Sequence, residues 1–354
     1  MKIQCDREKL QVAFHTAAMF APGRSPKAVL QNVRLDVRKD SVTMVATDME
    51  VGVRVKVEGV EAEVEGSVLL PVASFSAILR ESRDEKLRIE TTAKGTVVSG
   101  ERSEVRLPSQ DVDEFPDIPV FEEKKYHIIT AALFREIILR TEFSTDMESS
   151  RYALGGVLVE LDASKIVAVG TDGRRLAKME GPAEAVGGHK TGDSMTIIRT
   201  PSVRLIARAI SETDGVVHLA ARGNDCLIRT DRATFYSRLV EGRFPRWRDV
   251  FPQRHNASQI EMTVGPLHAA IRQAAVVTSQ ESRGIDFSFG EGMLRLTATT
   301  ADVGQSRIEM PIAYSGETIA VTLDHRFVTD FLKVLSPEEN ITLEIENAES
   351  AAVF

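Results

Sequence analysis

Cysteine, tryptophan and long apolar runs are nearly missing from this chain. Its 354 residues include two cysteines and one tryptophan, and aromatic residues make up only 6% of the whole. Cys5 and Cys226 stand far apart with no Cys-x-x-Cys partner, which excludes a disulfide framework and offers no zinc-ligand spacing. Such usage fits the reduced thiols of a cytoplasmic protein. No run of about 18 apolar residues occurs, so no segment reads as a membrane span. The apolar stretch over 10–21 follows Asp6, Arg7, Glu8 and Lys9 and has amphipathic spacing, so it reads as a helix of the domain and not as a signal segment. The signatures G-x-S-x-G, H-E-x-x-H and G-x-x-x-x-G-K-[ST] are missing too, and the seven histidines are scattered. No convincing cluster of carboxylates offers itself for a metal, so neither a metal nor a cofactor is expected.

What is present describes a globular protein of two or three domains: 43% hydrophobic and 27% charged residues over a length too great for one ordinary core. The net charge of −8 argues against a uniformly basic nucleic-acid binder. It leaves room for a protein with one basic face, because local potential and not total charge attracts phosphate.

One pattern organises the rest. Val45-Ala-Thr-Asp-Met-Glu-Val-Gly-Val-Arg-Val55 returns as Val169-Gly-Thr-Asp-Gly-Arg-Arg-Leu-Ala-Lys-Met179 and, degraded, as Ala298-Thr-Thr-Ala-Asp-Val-Gly-Gln-Ser-Arg-Ile308. Each copy reads as a strand, a polar corner and a second strand. Asp48 and Asp172 are explained as turn residues, since aspartate bonds its own backbone. The second corner differs, because Arg174 and Arg175 flank the apolar Leu176 as a peptide-binding pocket requires.

Around these corners the same programme starts three times. It predicts strand-then-helix over 1–20, 126–143 and 259–277, with Thr130 capping the second helix, and further helices over 71–82, 201–210 and 326–335. Strands are expected over 28–36, 41–46, 152–161, 165–170, 285–289 and 293–299. Phe115-Pro116 and Phe244-Pro245 lie 244 − 115 = 129 residues apart, a domain-sized period. The blocks run 1–125, 126–255 and 256–354, each splits into halves, and the third reads as lacking its last strand at Phe354. Basic residues recur on the helices: Arg80 and Arg83, Arg135 and Arg140, Arg199, Arg204 and Arg208, Arg272, and Arg326 with Lys333. Arg204 and Arg208 share a face at i,i+4, with no acid between Arg199 and Arg208.

The chain resembles the bacterial DNA polymerase III beta subunit family, the replicative sliding clamps. The likeness rests on Gly23-Arg24 with Pro26, Ala46-Thr47-Asp48, Leu107-Pro108 through Glu114-Phe115-Pro116, Arg151-Tyr152, Thr171-Asp172-Gly173, Gly242-Arg243-Phe244-Pro245 and Arg283-Gly284, in that order along the whole chain. The resemblance implies an α+β clamp fold of three similar domains, with helices lining an inner surface and antiparallel sheets outside. It also implies that two copies join head to tail into a ring around double-stranded DNA, held without reading its sequence.

Arg24, Arg151 and Tyr152 are then the expected DNA contacts, with Arg199, Arg204 and Arg208 adding field. Val276 and Val277 are expected at the dimer interface against an edge strand near Val105 and Leu107. The partner-peptide pocket transfers to Leu154, Thr171, Gly173, Arg174, Arg175, Leu176, Pro245 and Val250. Arg174 stands where histidine is common in the family and Asp249 where arginine can occur, so a different charge preference in the peptide is implied. The implied partners are the polymerase III catalytic subunit, the clamp loader, and other polymerases and repair proteins with clamp-binding peptides. A metal-dependent DNA-processing enzyme and a peptide-binding repeat scaffold without DNA are the competing readings.

Overall fold

A computed structural model describes residues 1–148, 153–191, 195–252 and 257–354. Six times a strand runs directly into a helix. Lys2–Asp6 leads into α1 (Arg7–Ala18), Gly66–Pro71 into α2 (Val72–Glu81), Tyr126–Thr130 into α3 (Ala131–Glu142), and Thr196–Arg199 into α4 (Thr200–Ala209). After the short α5 (Trp247–Val250), Ser258–Thr263 leads into α6 (Val264–Ala274) and Ile319–Asp324 into α7 (His325–Leu332).

Local side chains fix several of these starts. The Asp6 carboxylate accepts from the Lys9 amide at 3.0 Å, Thr130 Oγ1 from Leu133 at 3.3 Å, and Asp324 from Arg326 at 3.0 Å. Each satisfies one of the amides that a helix leaves open at its N-terminus. Several boundaries differ from the sequence expectation: the strand expected over 152–161 begins at Gly156, the helix expected to reach 335 ends at Leu332, and two others have a visible local cause. Ala28–Gln31 is a 3₁₀ turn because the Asn32 amide donates to the carbonyls of Ala28 and Val29, at 3.2 and 3.0 Å, and the strand begins only at Asn32. The helix expected to reach 277 stops at Ala274 and continues as the 3₁₀ turn Ala275–Val277. There Thr278 Oγ1 donates to the Ala275 carbonyl at 2.8 Å, and the β-branched Val276-Val277 pair disfavours further helix.

The described chain forms two compact units. The first comprises Met1–Thr171 and Ala177–Phe244. Its largest sheet has nine antiparallel strands in the order Glu184–Val186, Tyr126–Thr130, Val216–Arg222, Asp225–Arg229, Ala233–Arg238, Val51–Lys56, Ser41–Thr47, Asn32–Arg38 and Gly66–Pro71. Ala233–Arg238 pairs with Val51–Lys56, so the first and second repeats share one sheet. The Phe20 and Phe235 rings, one from each repeat, meet at 5.7 Å in one continuous apolar core. A five-stranded sheet ends at the edge strand Glu104–Leu107, and a four-stranded sheet carries Gly156–Asp162 and Lys165–Thr171 at its centre. Within this unit α1 packs on α2 and α3 on α4.

The second unit comprises Asp172–Leu176 and Pro245–Phe354. Its four-stranded sheet runs Gly304–Pro311, Met293–Thr300, Gly284–Gly290 and Ile319–Asp324, beside the pair Ser258–Thr263 and Asn340–Ile345. Phe287 and Phe289 fill its core under α6 and α7, which pack on each other. Glu291 and Gly292 turn the central hairpin with φ of 54° and 75°, the positive pair that a tight two-residue turn needs. Glu344 and Val353 exchange backbone bonds of 2.7 and 3.0 Å, an isolated bridge after the last strand, Asn340–Ile345. Among the described residues no helix is long and apolar enough to cross a membrane.

Candidate nucleic-acid and partner interfaces

The corners are built alike. In the first, Asp48 Oδ1 accepts from the amides of Glu50 and Val51 at 2.9 and 2.8 Å, and Met49 takes a φ of 80°. In the second, Asp172 Oδ1 accepts from Arg174 and Arg175, both at 2.9 Å, and Gly173 takes a φ of 83°. The aspartates are turn-makers in both. The second corner carries a wider network. Arg175 Nε reaches Asp172 Oδ2 at 3.1 Å, its Nη1 reaches Asp330 Oδ2 on α7 at 3.0 Å, and its guanidinium lies 4.7 Å from the centre of the Phe327 ring. Flat, forked and stacked, this arginine is held in one orientation.

The other expected pocket residues divide between the two units. Leu154 and Thr171 are buried in the first, with the Leu154 carbonyl accepting from the Asp146 amide at 2.9 Å. In the second, Gly173 and Arg174 are exposed, and Arg175, Leu176 and Pro245 are half-buried. Val250 is 66% exposed, and Phe251 beside it is also exposed. Trp247 stays buried under the Arg248 guanidinium, 4.2 Å from its ring centre. The Asp249 carboxylate is drawn to Arg246 at 3.1 Å, so its charge is partly neutralised by its own segment. Phe327 and Asp330 were not singled out from sequence. Their i,i+3 spacing on an amphipathic helix was the available signal.

The basic face needs correction. Arg199 is the last residue of its strand, just ahead of α4, and not a member of the helix. It pairs with Glu50 at 3.2 Å, and Arg204 pairs with Glu142 of α3. The acids missing from α4 itself are thus supplied by neighbouring elements. Arg24 and Arg208 are exposed, with no carboxylate partner among the described residues. Arg151 and Tyr152 lie outside the described residues.

The expected seam residues also separate. Glu104–Leu107 is an edge strand, as required, and Val105 on it is 40% exposed. Leu107 is instead buried in its own domain's core, so it supports the strand and has no surface to offer a partner. Val276 is 76% exposed, the most exposed large apolar side chain among the described residues, whereas Val277 packs partly against the core beneath it. Cys5 and Cys226 are buried, and burial pushes both thiols up to about 12, far from the thiolate that nucleophilic chemistry uses.

Comparison with known proteins follows the three repeats. Residues 1–119 match the family model of the DNA polymerase III beta subunit N-terminal domain, 128–246 that of its central domain, and 248–354 that of its C-terminal domain. The beta sliding clamp of Chlamydia trachomatis is 28% identical over 356 residues, spanning 100% of this chain and 84% of that protein. Among solved structures, the sliding clamp of Pseudomonas aeruginosa bound to griselimycin superposes with a TM-score of 0.91 at 24% identity, covering 99% of this chain and 94% of that one. The Bacillus subtilis clamp gives 0.90 at 20% identity, covering 98% and 93%. At these identities the two structures establish a shared fold.

Proposed function

This chain belongs to the DNA polymerase III beta subunit family, and from that premise we propose that it works as a sliding clamp. Two copies close head to tail around duplex DNA and tether the replicative polymerase, so the protein is a processivity factor and not a catalyst. The observation that carries this reading is the presence of all three family domains in order, spread over nearly the whole chain. Topology and not affinity then holds the DNA. Contact with phosphate is electrostatic and indifferent to sequence, which permits sliding. This contact is assigned to Arg24 and Arg208, exposed and without a carboxylate partner among the described residues, with Arg151 and Tyr152 as further contacts, while Arg199 and Arg204 act through partly neutralised pairs.

Ring closure is assigned to the exposed Val276 and the edge strand around Val105, where backbone groups left open by the sheet can pair with a second copy. Partner peptides from polymerases, the clamp loader and repair proteins are assigned to Leu154, Thr171, Gly173, Arg174, Arg175, Leu176, Pro245 and Val250, with Phe327 added. The support is chemical: a guanidinium fixed over the half-buried Phe327 ring suits a short peptide with apolar anchors and one polar residue. The test is retention on DNA. Protein loaded on nicked circles should be lost slowly and should leave rapidly once the circle is cut, and equal loss from both forms would overturn the ring.

A further inference from the structure

We propose that the segment joining the first and second repeats is a releasable strap, clasped by Arg229 at neutral pH and let go when His218 takes up a proton. Residues 116–123 have no regular secondary structure, so side chains and not a backbone ladder must hold them down. Two apolar anchors do so. Ile118 lies in a small core with Val45 and Leu69, and Phe121 in another with Ala220 and Leu227, on strands of the nine-stranded sheet.

The anchors differ in the charge beside them. Next to Ile118 the ions are matched, since Arg34 holds both Asp36 and Asp117 at 3.0 Å. Phe121 is covered by the Arg229 guanidinium, 4.5 Å from its ring centre, and Arg229 has no carboxylate partner among the described residues. An imidazole takes that place. His218 stands opposite Arg229 in the strand ladder, and its Nδ1 accepts from Arg229 Nε at 3.2 Å and from Nη2 at 2.5 Å. Arginine stays charged, so this acceptor has to be a neutral ring with its proton on Nε2. A second proton would remove the lone pair and set two cations at hydrogen-bond distance. His218 also meets the Tyr126 ring of strand Tyr126–Thr130 at 4.8 Å and the Phe121 ring of the strap at 6.4 Å, and Asp231 acts on it from the turn beyond Arg229. Its titration is lowered by burial first and then by Arg229, with Asp231 opposing. Within the strap, Glu123 is already engaged by Arg222 at 3.3 Å. Proton uptake therefore drives Arg229 off the Phe121 ring and uncovers the apolar patch of Phe121, Ala220 and Leu227. The sheet shared by the two repeats, paired through Ala233–Arg238 and Val51–Lys56, stays joined.

The strap is built from first- and second-repeat residues and does not rest on the clamp reading. A glutamate-specific protease tests it in the full chain, because Glu122 is exposed and Glu123 half-buried within the strap. Cleavage there is scored against cleavage after the exposed Glu349, which cancels the protease's own response to pH. Between about pH 7.5 and 5.5 this ratio should rise about tenfold in the parent, since cleavage of a transiently opened segment follows the population of the open form. His218→Gln keeps an acceptor for Arg229 but cannot titrate, so its ratio should stay low and flat. Arg229→Gln, which lacks the clasp, should be cut fast at both ends of the range. In ¹⁵N-histidine spectra of the parent, the His218 signals should titrate over the same interval as the cleavage ratio. An equal rise in the parent and in His218→Gln overturns the strap, as does an Arg229→Gln chain that resists cleavage like the parent at pH 7.5. If Arg229→Gln does not fold, the comparison of the parent with His218→Gln decides alone.

Discussion

His127 and His189 face each other across 2.7 Å through their Nδ1 atoms, both buried, at the edge of the nine-stranded sheet. The surrounding bonds fix their protons. The Ala221 amide donates to His189 Nε2 at 3.2 Å, so the His189 proton sits on Nδ1 and is donated to His127, whose Nε2–H then donates to the Asp162 carbonyl at 2.8 Å. Every ring nitrogen is used while His189 stays neutral. An added proton on His189 Nε2 would confront the Ala221 N–H, and the His189 titration is lowered by burial first and then by His127 and Lys125 against Glu123.

A pH dependence follows. The unfolded chain takes up a proton at His189 near the ordinary value of about 6.5, and the folded chain does so only at lower pH. The unfolded state therefore binds more protons in this window, and stability present above about pH 6.5 is lost as the pH falls through it. Melting should drop between about pH 7.5 and 5.5. His218, His268 and His325 are lowered as well and add slopes of the same sign, so the diagnostic is a difference. His189→Gln, which keeps an acceptor and a donor but cannot titrate, should flatten the curve measurably, and parallel curves for the two proteins would refute the assignment.

Two glycines flanking the second corner should respond differently to alanine. A Cβ on Gly170 would lie 2.2 Å from the Thr141 carbonyl oxygen and 2.6 Å from Ser144 Oγ, and that carbonyl is pinned because Ser144 Oγ donates to it at 2.8 Å. Gly170→Ala should cost about 1–3 kcal/mol, by overpacking. Gly173 meets nothing within 4 Å and pays only for its φ of 83°, a conformation that Met49 already adopts in the first corner. Gly173→Ala should cost about 1 kcal/mol. Urea midpoints test the order, and a larger loss at Gly173 would contradict it.

Much of this was legible in the residues. The threefold restart, the cap at Thr130 and the turn role of Asp48 and Asp172 are local chemistry, decided within a few positions of the residue concerned. What escaped was set by distant partners. Glu50 reaches Arg199 across 149 residues of sequence, and Glu142 reaches Arg204 across 62, so an arginine run read as open charge is partly compensated. Leu107 looked available because the strand it ends is an edge, yet its side chain is buried. Val105 and Leu107 lie on one face of that strand, so what separates them is how far the core covers each, 40% exposed against 6%, which the sequence alone does not declare.

Arg175 and Asp330 offer a test of how the second corner is held. The pair is partly shielded, with side-chain exposures of 19% and 34%, and Arg175 also stacks on Phe327. Arg175→Ala and Asp330→Ala should be non-additive, with a coupling of about 0.5–1 kcal/mol in urea unfolding, since contact pairs in one network fail additivity. Both single variants should weaken a clamp-binding peptide in fluorescence anisotropy while retention on circular DNA is unchanged. Strict additivity, or unchanged peptide affinity, would place the recognition elsewhere.

Val276 gives the sharpest test of ring closure because it can be altered without touching a core. Its side chain is 76% exposed, so Val276→Asp should leave the melting temperature essentially as it was. Val277, packed against the third-domain core, is the poorer choice, since charge there would confound folding with assembly. Val105→Asp, at a 40% exposed position of the edge strand Glu104–Leu107, is the matching change on the other side of the seam. Light scattering should give the mass of two copies for the parent and of one for either variant, because a charge desolvated at an apolar seam removes more free energy than a small interface can spare. If both variants keep the parental mass, the seam runs through other residues. If only one falls to a single copy, the two strips do not face each other.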